Sequence, residues 1–346
     1  MFNKNLKYYR LKQNMSKKEL ASLVDVTPMA ITYYESGERR PNMETIKALA
    51  SALGVRVADF LSRRNENLVF SHGEFRKSSR MCISQQEFMR ESVEEYVSRF
   101  YAVVDILGGE VLPTAPVSHQ LILSQDPEKD ALEMRKYLRI SESGPVGNLI
   151  ELLENKGIII YMCDVECMDF SGMNGLVNGR PYIVVNGKMS PERIRSTLAH
   201  ELAHVLFVWD KDMEEKKIED MANAISGAFL FQAEDVVREL GVRRTRITRD
   251  MTYICKKYGI SMYLLVKRAN ICHIVSDSVA KEFYILAGQA GWKKNEPVRI
   301  SKEEPMLFSQ LVFRAVCENE ISVQKGAELL KVPYDYVAEQ CFAEEV

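Results

Sequence analysis

Apolar residues recur at intervals of three and four positions through most of this chain, which is the spacing of one buried face of an α-helix. The pattern predicts a helix over residues 85–104, a helix that begins at Pro191, a helix over residues 218–230 and further helices beyond Glu234. Polar stretches between residues 62 and 79 interrupt the pattern and predict a hinge before the first of these helices.

Two short helices joined by a turn are predicted near the amino terminus. Ser16 is an N-cap residue, and Glu19 follows three positions later, which completes a capping box. Residues 25–27 form a turn, and a second capped helix covers residues 28–36. This order is that of a helix-turn-helix, in which the second helix enters the major groove of DNA.

The motif His200-Glu201-Leu-Ala-His204 carries the clearest chemistry in the chain. Two histidines four positions apart lie about 40° from each other around a helix, so both imidazoles can reach one metal ion. The motif predicts Zn²⁺ bound by His200 and His204, with Glu201 as the catalytic base that takes a proton from a metal-bound water. The alternative is that two core or capping histidines have this spacing by chance.

A zinc ion held by two imidazoles needs a third protein ligand. In the helix predicted over residues 218–230, a stripe of small residues shares a face with Glu219, and this face would bring Glu219 against the histidine helix. Glu219 is therefore the predicted third metal ligand. Asp220, with Glu214 and Glu215 before it, remains open, as does the interpretation that all these carboxylates are solvated.

Charge is distributed unevenly along the chain. The 346 residues carry a net charge of −2, with 46% apolar and 27% charged residues, which suits two or three ordinary globular domains. In residues 1–64, 12 Lys and Arg face 6 Asp and Glu, so this segment carries +6 and the remainder −8. Such a basic segment favours contact with DNA phosphates.

The sequence offers no signal for export or for a membrane partner. The first ten residues lack the apolar stretch of a signal peptide, and no run approaches the length of about 18 apolar residues that a spanning helix needs. The seven cysteines are scattered and odd in number, which fits a reducing compartment. We therefore expect a cytoplasmic protein.

The segment from about residue 144 to residue 230 resembles the ImmA/IrrE family of zinc peptidases, which is related to phage and mobile-element regulators. The resemblance rests on four segments. They are a Glu-containing helix followed by an extended stretch at residues 148–160, a Phe-Ser-Gly triplet at 170–172, a strand at 180–186, and the helix with the two histidines at 197–204. It implies bound Zn²⁺ and a protein substrate.

The same resemblance bears on the third ligand and on the substrate. The family's next helix has a Glu, an Ala and an Asn that match Glu219, Ala222 and Asn223 here. In zincins the substrate backbone lies along an edge strand near the metal, and we expect residues 182–186 to be that strand.

The amino-terminal pattern resembles the XRE family of helix-turn-helix regulators. This resemblance implies a double-stranded DNA operator as partner and leaves a homodimer open. The predicted DNA contacts lie on the second helix and its flanks: Lys17, Thr27, Pro28, Met29, Thr32, Tyr33, Arg39 and Arg40. The alternative is a five-helix interaction module that does not touch DNA.

Together these features predict a mainly α fold with a small β-sheet (α+β). We expect a five-helix, lambda-repressor-like helix-turn-helix domain at residues 1–64, a hinge at 65–84, a zincin-like peptidase domain at 85–240 and a helical C-terminal region at 241–346.

The predicted function is that of a DNA-binding transcriptional regulator fused to a zinc-dependent peptidase. By resemblance, the peptidase cleaves a repressor or other regulatory protein, or this chain itself within the hinge. Two alternatives remain open: a DNA-binding regulator whose zinc domain is a sensor or scaffold, and the antitoxin of a toxin-antitoxin pair.

Overall fold

The computed structural model describes residues 1–62, 64–65, 67–73, 81–166, 170–292, 296 and 298–342. The helices are α1 Phe2–Lys12, α2 Lys17–Leu23, α3 Pro28–Ser36, α4 Met43–Leu53, α5 Val57–Leu61, α6 Ile83–Ile106, α7 Pro127–Tyr137, α8 Leu149–Asn155, α9 Pro191–Leu206, α10 Glu215–Leu230, α11 Ala233–Leu240, α12 Met251–Tyr258, α13 Met262–Ile271, α14 Asp277–Gln289, α15 Leu307–Cys317, α16 Val323–Leu330 and α17 Tyr334–Cys341. The strands are β1 Phe70–His72, β2 Leu121–Ile122, β3 Ile159–Cys163, β4 Gly172–Val177, β5 Arg180–Asn186 and β6 Phe207–Val208.

The fold is mainly α with a small mixed sheet, as predicted, and it divides into two compact units. The first unit holds the described residues of 1–70, 75–111 and 308–346, and the second holds those of 71–74 and 112–307. The predicted domain boundaries remain predictions, and residues 66 and 74–80 of the predicted hinge lie outside the described residues. Within the described part of the chain, no helix has the length and apolarity to cross a bilayer.

Helices α1–α5 enclose the apolar core at the amino-terminal end of the first unit. Leu6, Leu20, Ile31, Leu49 and Phe60, one from each helix, are fully buried there. Burying such a side chain contributes on the order of 2 kcal/mol. These contacts fix the two helices of the helix-turn-helix relative to the other three.

Local capping sets the ends of these helices. The Ser16 hydroxyl accepts a hydrogen bond from the Glu19 N–H at 3.2 Å, and the Glu19 carboxylate accepts one from the Ser16 N–H at 2.7 Å. The predicted capping box is therefore confirmed. Gly37 ends α3 with a φ of 83°, a conformation that favours glycine.

The C-terminal helices of the first unit are tied to α1 and α6 by charged side chains. Glu95 on α6 forms ion pairs with Arg99 at 2.9 Å and with Lys331 at 2.8 Å. The Lys331 ammonium also lies 4.9 Å from the centre of the Tyr8 ring on α1, and Arg99 donates to the carbonyl of Leu329. Residues more than two hundred positions apart thus build one packed unit.

The sheet of the second unit has the strand order β1-β4-β5-β3. Strands β4 and β5 are antiparallel, with Gly175 opposite Tyr182, and β3 runs parallel to β5, with Ile160 opposite Ile183. The expectation that residues 182–186 form an edge strand is wrong. Strand β5 is interior because β3 pairs with one side of it and the hairpin partner β4 pairs with the other.

Helix α9 packs across β4 and β5, and α10 packs against α9. Leu198 and Leu202 of α9 are fully buried together with Ile183 of the sheet and Phe229 of α10. The apolar stripe predicted for this helix therefore faces the core and holds the helix firmly between the sheet and α10.

Candidate metal centre and DNA-binding face

Three side chains on α9 and α10 bring their ligand atoms together. The Nε2 atoms of His200 and His204 are 3.1 Å apart. One carboxylate oxygen of Glu219 lies 3.5 Å from the Nε2 of His200, and the other lies 3.4 Å from that of His204. In the described part of the chain, these three residues form the group of His, Cys, Asp and Glu side chains that fits a metal ion.

The separations between these donor atoms suit a small tetrahedral ion. A tetrahedron with metal–ligand bonds of about 2.0–2.2 Å has edges of about 3.3–3.6 Å, whereas an octahedron with bonds of about 2.0–2.1 Å has edges of about 2.8–3.0 Å. The two separations that involve Glu219, 3.4 and 3.5 Å, fall in the first range, and the 3.1 Å between the histidine nitrogens lies between the two ranges. Two imidazoles and a carboxylate are also donors that such an ion accepts.

The other carboxylates considered for this site lie elsewhere. Asp220 is exposed on the neighbouring position of α10 and is not part of the ligand group. Glu214 is the N-cap residue of α10 and Glu215 stands in its first turn, both exposed. The helical register explains this outcome, because a shift of one residue turns a side chain by about 100° around the helix.

Glu201 is buried at 4% exposure beside the ligand group, and a residue of β4 holds it. The Asn174 side-chain amide donates to Oε2 of Glu201 at 2.8 Å. A Cβ added at Gly172 would lie 3.3 Å from Cγ of Glu201 and 2.6 Å from the methyl of Thr197, so glycine allows β4 to approach α9 closely. The sequence reasoning missed Asn174, since only strand pairing brings it to this helix.

A tryptophan and two further histidines lie near the candidate ligands or the sheet. The indole of Trp209 lies 5.1 Å from the His204 ring, centre to centre. His119 contacts the backbone carbonyl of Phe207 through Nδ1 at 3.0 Å, and His72 contacts the Tyr182 hydroxyl through Nδ1 at 2.6 Å. These two histidines, which the sequence analysis did not assign, therefore serve as hydrogen-bonding partners of the protein itself.

The predicted DNA contacts are grouped around α3. Thr27, Pro28, Met29 and Tyr33 are exposed, and Met29 keeps 57% of its surface open to solvent. Thr27 also caps the helix, since its hydroxyl accepts a hydrogen bond from the Ala30 N–H at 3.2 Å. An exposed apolar side chain on a capped helix is available for contact with a base edge.

Basic and hydroxyl side chains flank this helix. Lys17, at the start of α2, donates to the Thr32 hydroxyl at 3.3 Å and lies 3.7 Å from the Glu35 carboxylate. Arg39 and Arg40 are exposed in the turn that follows α3. Lys17 therefore contacts α3 directly, and Arg39 and Arg40 follow its C-terminal end with exposed side chains.

Comparison with known proteins locates two matching segments. A family model described as "Helix-turn-helix" matches residues 6–60, and the M78 peptidase model, described as "IrrE N-terminal-like domain", matches residues 153–270. The chain is also similar to the cryptic phage CTXphi transcriptional repressor RstR of Vibrio cholerae. That similarity has 27% identity over 93 residues, which are 27% of this chain and 81% of the repressor. Both resemblances inferred from the sequence are confirmed.

Proposed function

Because the chain joins an XRE-type helix-turn-helix domain to an IrrE-like domain of the M78 peptidase family, we propose that it is a DNA-bound regulator that hydrolyses a peptide bond in a regulatory protein. The observation that carries the proposal is the convergence of His200, His204 and Glu219 beside a buried glutamate, Glu201. A repressor-type protein, or this chain itself, is the proposed substrate.

The metal in this proposal is Zn²⁺, held by His200, His204 and Glu219. When bound, the ion would supply Lewis acidity toward the scissile carbonyl and would bring the pKa of a water at the site to about 7. Glu201 acts as general base: its Oε2 is fixed by Asn174, which leaves Oε1 to take the proton and later to deliver it to the leaving amine. Asn174 is a positioning residue, because it acts through Glu201.

The amino-terminal part of the proposal is recognition of an operator by α3. Met29, Thr32 and Tyr33 read base edges, while Lys17, Arg39 and Arg40 contact phosphates. The concentration of +6 charge in residues 1–64 supports this division of roles. The proposed location is the cytoplasm, where operator DNA and a reducing environment are both present.

The test compares new protein amino termini in cells that carry the wild-type chain with those in cells that carry Glu201→Gln. This substitution keeps the shape of the side chain but removes the base, so termini that depend on hydrolysis appear with the wild type alone. Mass spectrometry of labelled amino termini identifies both the substrate and the cut position. Identical sets of termini from the two chains, at equal zinc content, would exclude the peptidase.

A second candidate function is repression without proteolysis, with the metal domain as a sensor or scaffold or with the chain as an antitoxin. The similarity to a phage repressor favours it, since that protein is described as a transcriptional repressor. Under this function Glu201→Gln leaves promoter output unchanged, whereas a substitution on α3 raises it. An antitoxin also requires a toxin gene beside its own.

A further inference from the structure

Strand β4 has two edges, and the chain itself occupies the one that faces away from β5. Residues 71–73 lie along this edge, where the Gly73 N–H donates to the Asn174 carbonyl at 2.9 Å. The side chain of the same asparagine donates to Glu201 at 2.8 Å. A peptide backbone bound at this edge and the proposed base, Glu201, therefore contact the same residue, Asn174.

A tyrosine that crosses β4 anchors this segment. Tyr182 stands opposite Gly175 in the β4–β5 pairing. A Cβ at Gly175 would collide with the Tyr182 hydroxyl and would lie 2.7 Å from the carbonyl oxygen of Ser71. Because glycine leaves this space open, the buried Tyr182 reaches across β4 and its hydroxyl contacts Nδ1 of His72 at 2.6 Å.

The edge also restricts the residue that follows the histidine. A Cβ added at Gly73 would lie 2.6 Å from the Asn174 carbonyl oxygen, a distance that real Cβ atoms do not adopt. The edge therefore accepts an extended peptide with glycine against the Asn174 carbonyl and, just before it, a side chain that hydrogen-bonds to Tyr182. When a peptide adds as a strand to a sheet edge, its main-chain hydrogen bonds provide affinity and its side chains provide specificity.

We propose that residues 71–73 are a resident peptide on the substrate-binding edge of the metal site, which a protein substrate with a similar His-Gly segment must displace before it is cut. The proposal rests on the proposed peptidase function and assigns its substrate pattern and its regulation. Because the resident peptide is tethered, its effective concentration reaches the millimolar range, and an untethered substrate competes poorly until the segment is released.

The experiment measures binding of a fluorescent peptide with the sequence of residues 67–73, Asn-Leu-Val-Phe-Ser-His-Gly, by anisotropy. The full-length Glu201→Gln protein is the parent, so that no probe is consumed. Gly73→Ala forces the resident segment away from Asn174, and His72→Ala removes its bond to Tyr182. Gly147→Ala is the matched control, since a Cβ there would meet nothing within 4 Å.

We expect the peptide to bind each released variant at least about fivefold more tightly than the parent or Gly147→Ala, which corresponds to the loss of one hydrogen bond from the resident segment. In the Gly147→Ala protein, excess peptide should also accelerate deuterium uptake at residues 71–73. A peptide that ends in Ala instead of Gly should bind more weakly to every variant.

Equal affinity for the released variants and the control would overturn the proposal. It would also be overturned if the released variants bind no peptide, or if binding leaves deuterium uptake at residues 71–73 unchanged. The outcome is separate from that of the proposed function: cleavage in cells without these peptide effects refutes the resident peptide alone, and peptide binding without any cleavage refutes the peptidase alone.

Discussion

Glu219→Gln should remove most of the thermal stabilisation that zinc gives to the protein. Glu219 supplies the carboxylate of the candidate site, with its oxygens 3.4 and 3.5 Å from the two imidazole nitrogens. Glutamine has nearly the same shape but no charge, so the histidines remain in place while the anionic donor is lost. The measurement is the melting temperature of metal-free protein before and after zinc is added.

The expected size of the effect follows from ligand linkage. Free zinc at 100 times its dissociation constant stabilises the folded wild type by about 2.7 kcal/mol. For a unit of roughly 200 residues this raises the melting temperature by about 5–10 °C. Loss of a residue that hydrogen-bonds to a metal ligand weakens metal binding by about 10- to 100-fold. Loss of a ligand itself should weaken zinc binding by at least about 100-fold. The same zinc concentration then stabilises the variant by only about 0.4 kcal/mol, or about 1 °C.

Asp220→Asn is the matched control, because Asp220 is the next residue on the same helix and carries the same charge but is exposed outside the ligand group. It should retain the full zinc-induced shift. If Glu219→Gln kept the shift of the wild type, the assignment of Glu219 as a ligand would fail. If Asp220→Asn alone lost the shift, Asp220 would be the third ligand.

Three further outcomes are expected. Glu35→Gln should destabilise the helix-turn-helix by about 3–5 kcal/mol in chemical denaturation, because it leaves the buried Arg10 without its counter-charge. Arg10 is only 5% exposed and donates to the Glu35 carboxylate at 2.5 and 3.0 Å. A loss of stability below about 1 kcal/mol would contradict this expectation. Asn174→Ala should lower the cleavage rate by about 10- to 100-fold at unchanged zinc content, because it frees the Glu201 carboxylate; lost zinc would instead indicate a structural role. Burial raises the pKa of Glu296 from 4.5 to about 7, so the folded state keeps a proton that the unfolded state loses, and stability should fall as the pH rises from about 4.5 to 7. Glu296→Gln should flatten this part of the profile of melting temperature against pH. An unaltered slope would show that the pH dependence does not come from Glu296.

The metal helix and the helix-turn-helix could be predicted from sequence because their signals are local. The spacing of His200 and His204 specifies a shared helix face, and the capping box at Ser16 specifies a helix start. Glu219 required one step more, since it depends on which face of α10 meets α9. The small residues along that face supplied the information, and the donor distances are consistent with it.

The sheet around the site could not be predicted, because strand pairing joins distant segments. Residues 182–186 carry the composition of a strand, but nothing in them specifies whether one or two neighbours will pair with it. Asn174 becomes relevant only when β4 lies against α9, and His72 only when Tyr182 crosses the sheet at Gly175. The attachment of Lys331 to Glu95 is non-local in the same way.

Under the proposed function, Asn174 would link substrate docking to base positioning, because its backbone and side chain serve different partners. Its carbonyl accepts the bond from the peptide at the strand edge, and its amide fixes Glu201. A peptide that displaces residues 71–73 must replace the bond from Gly73, which would hold β4 at the same distance from α9. Strand β4 is also held by its pairing with β5 from Gly172 to Val177, so the amide of Asn174 stays within reach of Glu201 while one peptide replaces another. Displacement of residues 71–73 should therefore open the edge to a substrate without disturbing the contact that positions the proposed base.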